Sequence, residues 1–207
     1  MSGLRLCQHP LALHRLAELR DRATPPARFR HLVRELSWLL AVDATRELAL
    51  RPRTVRTPLG ECPGGHLAES VVLVPVLRAG LGMVDGVLDL LPEAEVWHLG
   101  LHRDERTLRP IEYYALPNRP PPQLCLVLDP MLATGGSAAA AIAGLRGRAA
   151  PCIAFVGILG APEGVRRLQQ EAPDVPLHLV AVDERLNEYG FIVPGLGDAG
   201  DRQFGTL

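Results

Sequence analysis

The chain has 207 residues, 47% apolar and 22% charged, with a formal net charge of −1. That length suits one domain with one sizeable core, and the near-neutral balance excludes a global attraction to nucleic acid or to an anionic membrane surface. No apolar run is long enough to span a bilayer, the N-terminus shows no signal-peptide pattern, and Cys7, Cys62, Cys125 and Cys152 have no Cys-x-x-Cys spacing, so a cytoplasmic protein with reduced thiols is expected.

Leu11, Leu16 and Leu19 predict a short helix after Pro10. Thr24-Pro25 reads as an N-cap with proline at the first helical position, followed by Phe29, Leu32, Val33, Leu36, Leu39 and Leu40 at helical spacing. Residues 1–50 are therefore expected to be a helical N-terminal region. Residues 51–70, rich in Arg, Pro and Gly, show little periodicity and read as loop with a short strand at most.

From residue 71 the pattern alternates between strand and helix. Val71–Leu77 reads as a buried strand, Leu81–Leu91 as an apolar helix and Ala94–Leu99 as the next strand. Residues 104–120 are charged, then aromatic, then proline-rich, and are expected to leave the core as a hairpin or lid. Leu124–Leu128, Cys152–Leu159 and Leu177–Val182 read as further strands, with a helix over Pro162–Glu171. Strands alternating with helices imply an α/β fold with a mostly parallel sheet flanked by helices. In such sheets ligands bind beyond the carboxyl ends of the strands, where Arg78 and Asp129 both fall.

Four patches carry candidate chemistry. The strand Leu124–Leu128 runs into Asp129-Pro130-Met131-Leu132-Ala133-Thr134-Gly135-Gly136-Ser137 and then an Ala-rich helical run. Strand, small-residue loop and helix start together make a phosphate cradle built from backbone N–H groups. The acid before the loop is placed to hold hydroxyls on the carrier of that phosphate. A P-loop would need lysine after its last glycine, but Ser137 stands there and all 22 Lys+Arg residues are arginine. Walker-type NTPases and lysine Schiff-base enzymes are excluded with it.

The second patch is Pro75-Val76-Leu77-Arg78-Ala79-Gly80-Leu81-Gly82-Met83, where an arginine fork at a strand end can grip a second anion or serve as a salt-bridged structural residue. The third, His102-Arg103-Asp104-Glu105-Arg106 with Arg109 and Tyr113-Tyr114, is a candidate lid or a solvated charge run. The fourth is the tail over 190–202, where Gly190, Gly195, Gly197 and Gly200 let backbone approach a ligand and Phe191 and Ile192 can cover a flat ring.

These motifs together resemble the type I phosphoribosyltransferases, in the form of the uracil-specific family. Asp129–Ser137 is similar to their phosphoribosyl-diphosphate (PRPP) motif, with Pro130 where the generic motif has a second acid. Pro75–Met83, Pro194–Asp201, Gln8-His9-Pro10-Leu11 and Phe204-Gly205-Thr206 extend the resemblance over essentially the whole chain. The resemblance implies conversion of uracil and PRPP to UMP and diphosphate with Mg²⁺. It places Arg78, Arg103, Asp129, Pro130, Met131, Leu132, Ala133, Thr134, Gly135, Gly136, Ser137 and Asp198 at PRPP, with Arg78, Arg103, Asp129 and Asp198 catalytic. It places Ile192, Gly197, Asp198 and Ala199 at uracil, and Asp198 near the metal. GTP as activator and a homodimer or larger homo-oligomer are further partners that it suggests, with no role for nucleic acid or membrane. Phe191 stands where the family often has tyrosine, and Arg109 where an acid is common. Two other readings stay open, a PRPP- or UMP-binding regulatory module on the same fold and a phosphoribosyltransferase for another base.

Overall fold

The computed structural model describes residues 3–103, 110–114 and 116–206, with the side chains of 101–103 and 110–114 excepted. Strand β1 (Leu4–Leu6) precedes helices α1 (Pro10–Arg20) and α2 (Pro26–Ala44). Strands β2 (Leu50–Thr57) and β3 (Gly60–Leu67) form an antiparallel hairpin. There follow β4 (Val71–Leu77), α3 (Leu81–Leu90), β5 (Glu95–Val96), β6 (Leu99–Arg103) and β7 (Pro110–Tyr114). Next come β8 (Leu124–Leu128), β9 (Met131–Leu132), α4 (Gly136–Arg146), β10 (Cys152–Val156), β11 (Leu159–Gly160) and α5 (Pro162–Glu171). The chain closes with β12 (Leu177–Leu179), β13 (Ala181–Val182), β14 (Arg185–Leu186), β15 (Ile192–Val193) and α6 (Ala199–Phe204).

The central sheet has the order β1-β12-β10-β8-β4-β6-β7, with β5 also paired to β4. Its strands are parallel except at the β6–β7 pair. Alternation along each strand splits the core into two layers. Val71 and Leu73, with Leu124, Leu126 and Leu128, face α1, α2 and α3. Val72, Val74 and Val76, with Cys125 and Val127, face α4 and α5. Both faces are covered, which is why β4 and β8 read as continuous apolar runs.

Several strands stop and restart at the carboxyl edge. Single apolar runs were expected over 152–159 and 177–182, but each breaks after leaving the central sheet. Short segments β9, β11 and β13 then pair as a second parallel sheet of order β13-β11-β9. The chain turns at Asp129 between the two sheets, with Asp129 N–H donating to the Val156 carbonyl at 3.2 Å. The expected strand 94–99 divides likewise into β5 and the start of β6.

Three other expectations are corrected. The N-terminal region is not wholly helical, because β1 extends the central sheet beside β12. Proline at Pro25 takes the N-cap of α2 and Pro26 its first turn, while the Thr24 hydroxyl instead donates to the Glu18 carbonyl at 2.6 Å. Residues 51–70 form a long hairpin rather than a loop. Every residue of both its strands is exposed, so no buried face imposes an alternating pattern on the sequence.

The charged excursion begins earlier than residue 104, since β6 is its first arm and pairs antiparallel with β7. The charged run 104–109 lies outside the described residues. At the far end Leu116 is buried, and Arg148 donates to the Leu116 and Pro117 carbonyls at 3.0 and 2.8 Å. Residues from 116 onward are thus fastened to the core rather than part of a free lid.

Candidate active site

The break between β8 and β9 creates the cradle. Residues Asp129 and Met131–Ala138 line a cavity of about 150 Å³ at the start of α4. Gly135 is the N-cap of α4 with φ of 76°, a left-handed conformation that L-residues adopt at a cost. The first residues of α4, Gly136–Ala138, line the cavity, and a helix start at a cavity is a place that can receive a phosphate. A Cβ at Gly135 would lie 3.1 Å from the Gly164 carbonyl oxygen, so α5 packs tightly behind the loop. Thr134 Oγ1 accepts from the Gly136 N–H at 3.4 Å.

Asp129 is partly exposed at the floor of the cradle. Its recessed position pushes its carboxyl up to about 7, partly opposed by the Met131 N–H that it accepts and reinforced by the nearby Asp198 carboxylate. Two acids close enough to influence each other, beside an anion cradle, mark the place where a cation or hydroxyl donors are needed.

The tail builds the neighbouring cavity, about 270 Å³, lined by Ala79, Met131, Ala133, Ile192, Gly197–Gly200 and the segment Tyr189–Phe191. Ile192 is buried, whereas Tyr189 and Phe191 are exposed at the lip. Met131 and Ala133 line both cavities, so the cradle and the tail share a wall. Asp198 caps α6, accepting from the Asp201 N–H at 2.9 Å.

Arg78 leaves the end of β4 and donates to Asp201 Oδ1 at 3.0 Å. The Thr206 hydroxyl, at 2.6 Å, and Arg78 hold the Asp201 carboxyl below the usual carboxylate range. A Cβ placed on Gly200 would lie 3.2 Å from Asp198 Oδ1 and 3.8 Å from Arg78 Nη2, so arginine and acid flank the same point.

The structure therefore brings together Arg78, Asp129, the loop Pro130–Ser137, Ile192 and Gly197–Ala199. Pro130 is buried and lines neither cavity, and its carbonyl accepts from the Ile158 and Leu159 N–H groups. Arg103 ends β6 and pairs through its backbone register with Pro110, and its side chain lies outside what is described. Among the described residues no group of three His, Cys, Asp or Glu side chains is arranged to hold a metal on its own. Sequence reasoning placed Asp201 in the tail motif without a role for it, and it missed Tyr189 and the residues that fix the tail, Arg20, Asp183 and Arg202. Their signal lies in contacts distant along the chain, which spacing does not report.

The chain is similar to known proteins over nearly its whole length. The family described as uracil phosphoribosyltransferase matches residues 6–206. The uracil phosphoribosyltransferase of Roseiflexus sp. (strain RS-1) is 58% identical over 210 residues, covering all of both chains. That of Acholeplasma laidlawii (strain PG-8A) is 50% identical over 207 residues, again covering all of both. Among solved structures, the AQ2163 protein from Aquifex aeolicus superposes with a TM-score of 0.91 at 36% identity, covering 97% of each chain.

Proposed function

The chain belongs to the uracil phosphoribosyltransferase family, enzymes that join uracil to the phosphoribosyl group of PRPP, and on that premise we propose how its residues share the reaction. The backbone of Ala133–Ser137 takes the 5′-phosphate. Asp129, as a carboxylate, accepts from the ribose hydroxyls. Arg78 and Arg103 take the diphosphate. Ile192 packs on the uracil ring while Gly197, Asp198 and Ala199 read its edge. The shared wall of Met131 and Ala133 supports this division most directly, because it sets the base cavity against the phosphate cradle as a nucleotide product requires.

Breaking the bond from ribose C1 to diphosphate develops positive charge on the sugar and negative charge on the leaving group. Arg78 stabilises the latter, and the carboxylates of Asp129 and Asp198 lie on the side of the former. Uracil supplies the attacking nitrogen, so the protein contributes orientation rather than a nucleophile. A backbone N–H aimed at uracil O4 would meet cytosine's amino group donor to donor, which selects against cytosine.

Oxygen donors at Asp129 and Asp198 suit a hard cation such as Mg²⁺ arriving with the substrate's phosphates. When bound, that ion neutralises diphosphate charge. We also assign a homo-oligomer, with GTP as activator, working in the cytoplasm. The exposed hairpin, with Leu50 and Leu59 uncovered at 65% and 99%, supports the oligomer. No described helix is long and apolar enough to cross a membrane.

The test is diphosphate release from PRPP and Mg²⁺ with uracil, cytosine, hypoxanthine, adenine or orotate. Turnover confined to uracil is expected. Equal or better turnover of another base, or ligand binding without turnover, would overturn the assignment.

A further inference from the structure

The turn that borders the base cavity has little to hold it in shape. Gly195 and Gly197 both carry positive φ, at 64° and 80°, and α6 beyond them is only six residues long. Yet the turn is fastened at two points by the end of α1, which lines neither cavity.

The first fastening is Arg20. Its guanidinium donates to both oxygens of Asp183, at 2.7 and 2.6 Å, and to the Gly195 carbonyl at 2.8 Å. Asp183 in turn accepts the Gly195 N–H at 2.8 Å, so both backbone polar groups of Gly195 are engaged. Burial alone would raise the Asp183 carboxyl, but the Arg20 fork and the Gly195 N–H hold it below its usual range, charged and in place.

The second is Arg202. It is only 8% exposed, and its guanidinium has backbone carbonyls rather than a carboxylate as hydrogen-bond partners. It donates to Leu19 and Leu196 at 2.8 Å each and to Asp21, while its charge sits 4.5 Å from the centre of the Phe29 ring. Burial lowers its proton affinity, opposed by Asp21. A buried cation held by carbonyls is costly unless it organises them. Here it organises the last turn of α1 and the peptide just before Gly197.

We propose that Arg20 and Arg202 are positioning residues for base selection, acting through the backbone of Gly195–Ala199 without touching either substrate. The Arg20–Asp183–Gly195 fastening fixes the backbone at Gly195, and Arg202, reaching back from α6 to the Leu196 carbonyl, closes the stretch 197–201 between Leu196 and itself. Within that closed stretch, the amide and carbonyl groups of Gly197–Ala199 that meet the uracil edge are pre-oriented. This rests on the assignment of Gly197–Ala199 to uracil.

Separate KM values for uracil and PRPP test it in Arg20→Met, Arg202→Met and Arg202→Lys. Both methionine variants are expected to raise the uracil KM about tenfold and leave the PRPP KM within about twofold. Arg202→Lys, which keeps a cation able to reach the Leu196 carbonyl, recovers most of the loss. A merely structural role lowers melting temperature and active-site titre while the surviving enzyme keeps its uracil KM. Should Arg202→Met fail to fold, Arg20→Met and Arg202→Lys carry the test. Unchanged uracil KM, or equal rises in both constants, overturns the proposal. Gly197→Ala separates the two layers of inference: if it raises uracil KM while the arginine variants do not, the fastening alone is wrong. If it too leaves uracil KM unchanged, the base-site assignment fails.

Discussion

Arg78 donates to Asp201 Oδ1 across 3.0 Å, so the turn that follows β4 and the helix that follows the turn assigned to the base are joined by charge. The arginine assigned to diphosphate is thereby tied to a carboxylate of the base-side helix. Diphosphate, carrying more negative charge than one carboxylate, competes for that guanidinium. Arg78→Met is expected to raise the PRPP KM at least tenfold and to lower kcat. The pair is largely exposed, so the melting temperature should stay within about 2 °C of wild type. Steady-state kinetics beside thermal melts check this, and a parallel loss of stability would make Arg78 a structural residue.

Asp201→Asn removes the negative charge that pairs with Arg78 while keeping an Oδ1 that can accept from both Arg78 and Thr206. The more weakly held guanidinium should bind the diphosphate more readily, lowering the dissociation constant for PRPP. Its orientation is less defined, so kcat should fall two- to fivefold, an order-of-magnitude expectation for lost pre-organisation. Titration calorimetry with PRPP and Mg²⁺, set against kcat, separates the two effects. Weaker PRPP binding would mean that Asp201 orients Arg78 rather than competing for it.

Gly135 tests the cradle. An alanine there must adopt φ of 76° and places its Cβ 3.1 Å from the Gly164 carbonyl oxygen. Strain of about 1–2 kcal/mol is expected, and relieving it would rotate the first amides of α4 away from the phosphate. Gly135→Ala should therefore raise the PRPP KM more than tenfold and leave the uracil KM nearly unchanged. Crystallography of the variant with inorganic phosphate would show whether the loop has turned.

Much of this arrangement is legible in the sequence, and the limits have physical causes. The runs 71–77 and 124–128 report their burial because both faces of the sheet are covered. The loop Ala133–Ser137 reads as a cavity at a helix start because small residues, an acid and that start occur in one continuous stretch. The restarts at Met131, Leu159 and Ala181 are invisible, since an apolar run has the same composition whether it stays in one sheet or steps to a second. The hairpin Leu50–Leu67 is invisible because neither face is buried. Arg20, Asp183 and Arg202 escape notice because their meaning depends on chain segments up to 183 residues apart.

Stability against pH gives the last prediction, since two groups act with opposite sign. The Asp129 carboxyl is raised by burial from 3.8 to about 7, so the stability associated with its protonated form is present below pH 3.8 and lost as pH rises through about 7. Burial lowers His178 from its usual 6.5, opposed by Asp43, whose carboxylate lies 2.9 Å from Nδ1. Its stabilising contribution is present above 6.5 and lost as pH falls below that value. In the window just below pH 6.5 the two slopes oppose, so the wild-type melting temperature should change less there than either group alone would make it. Asp129→Asn removes the first slope, so its melting temperature should rise with pH and exceed wild type at pH 8. His178→Gln removes the second, and its melting temperature should fall as pH rises over the same window. The Asp129→Asn enzyme, more stable at pH 8 yet impaired with PRPP, would show a carboxylate kept for the substrate at the expense of the fold. A variant less stable than wild type at pH 8 would reverse that assignment and make Asp129 a structural acid.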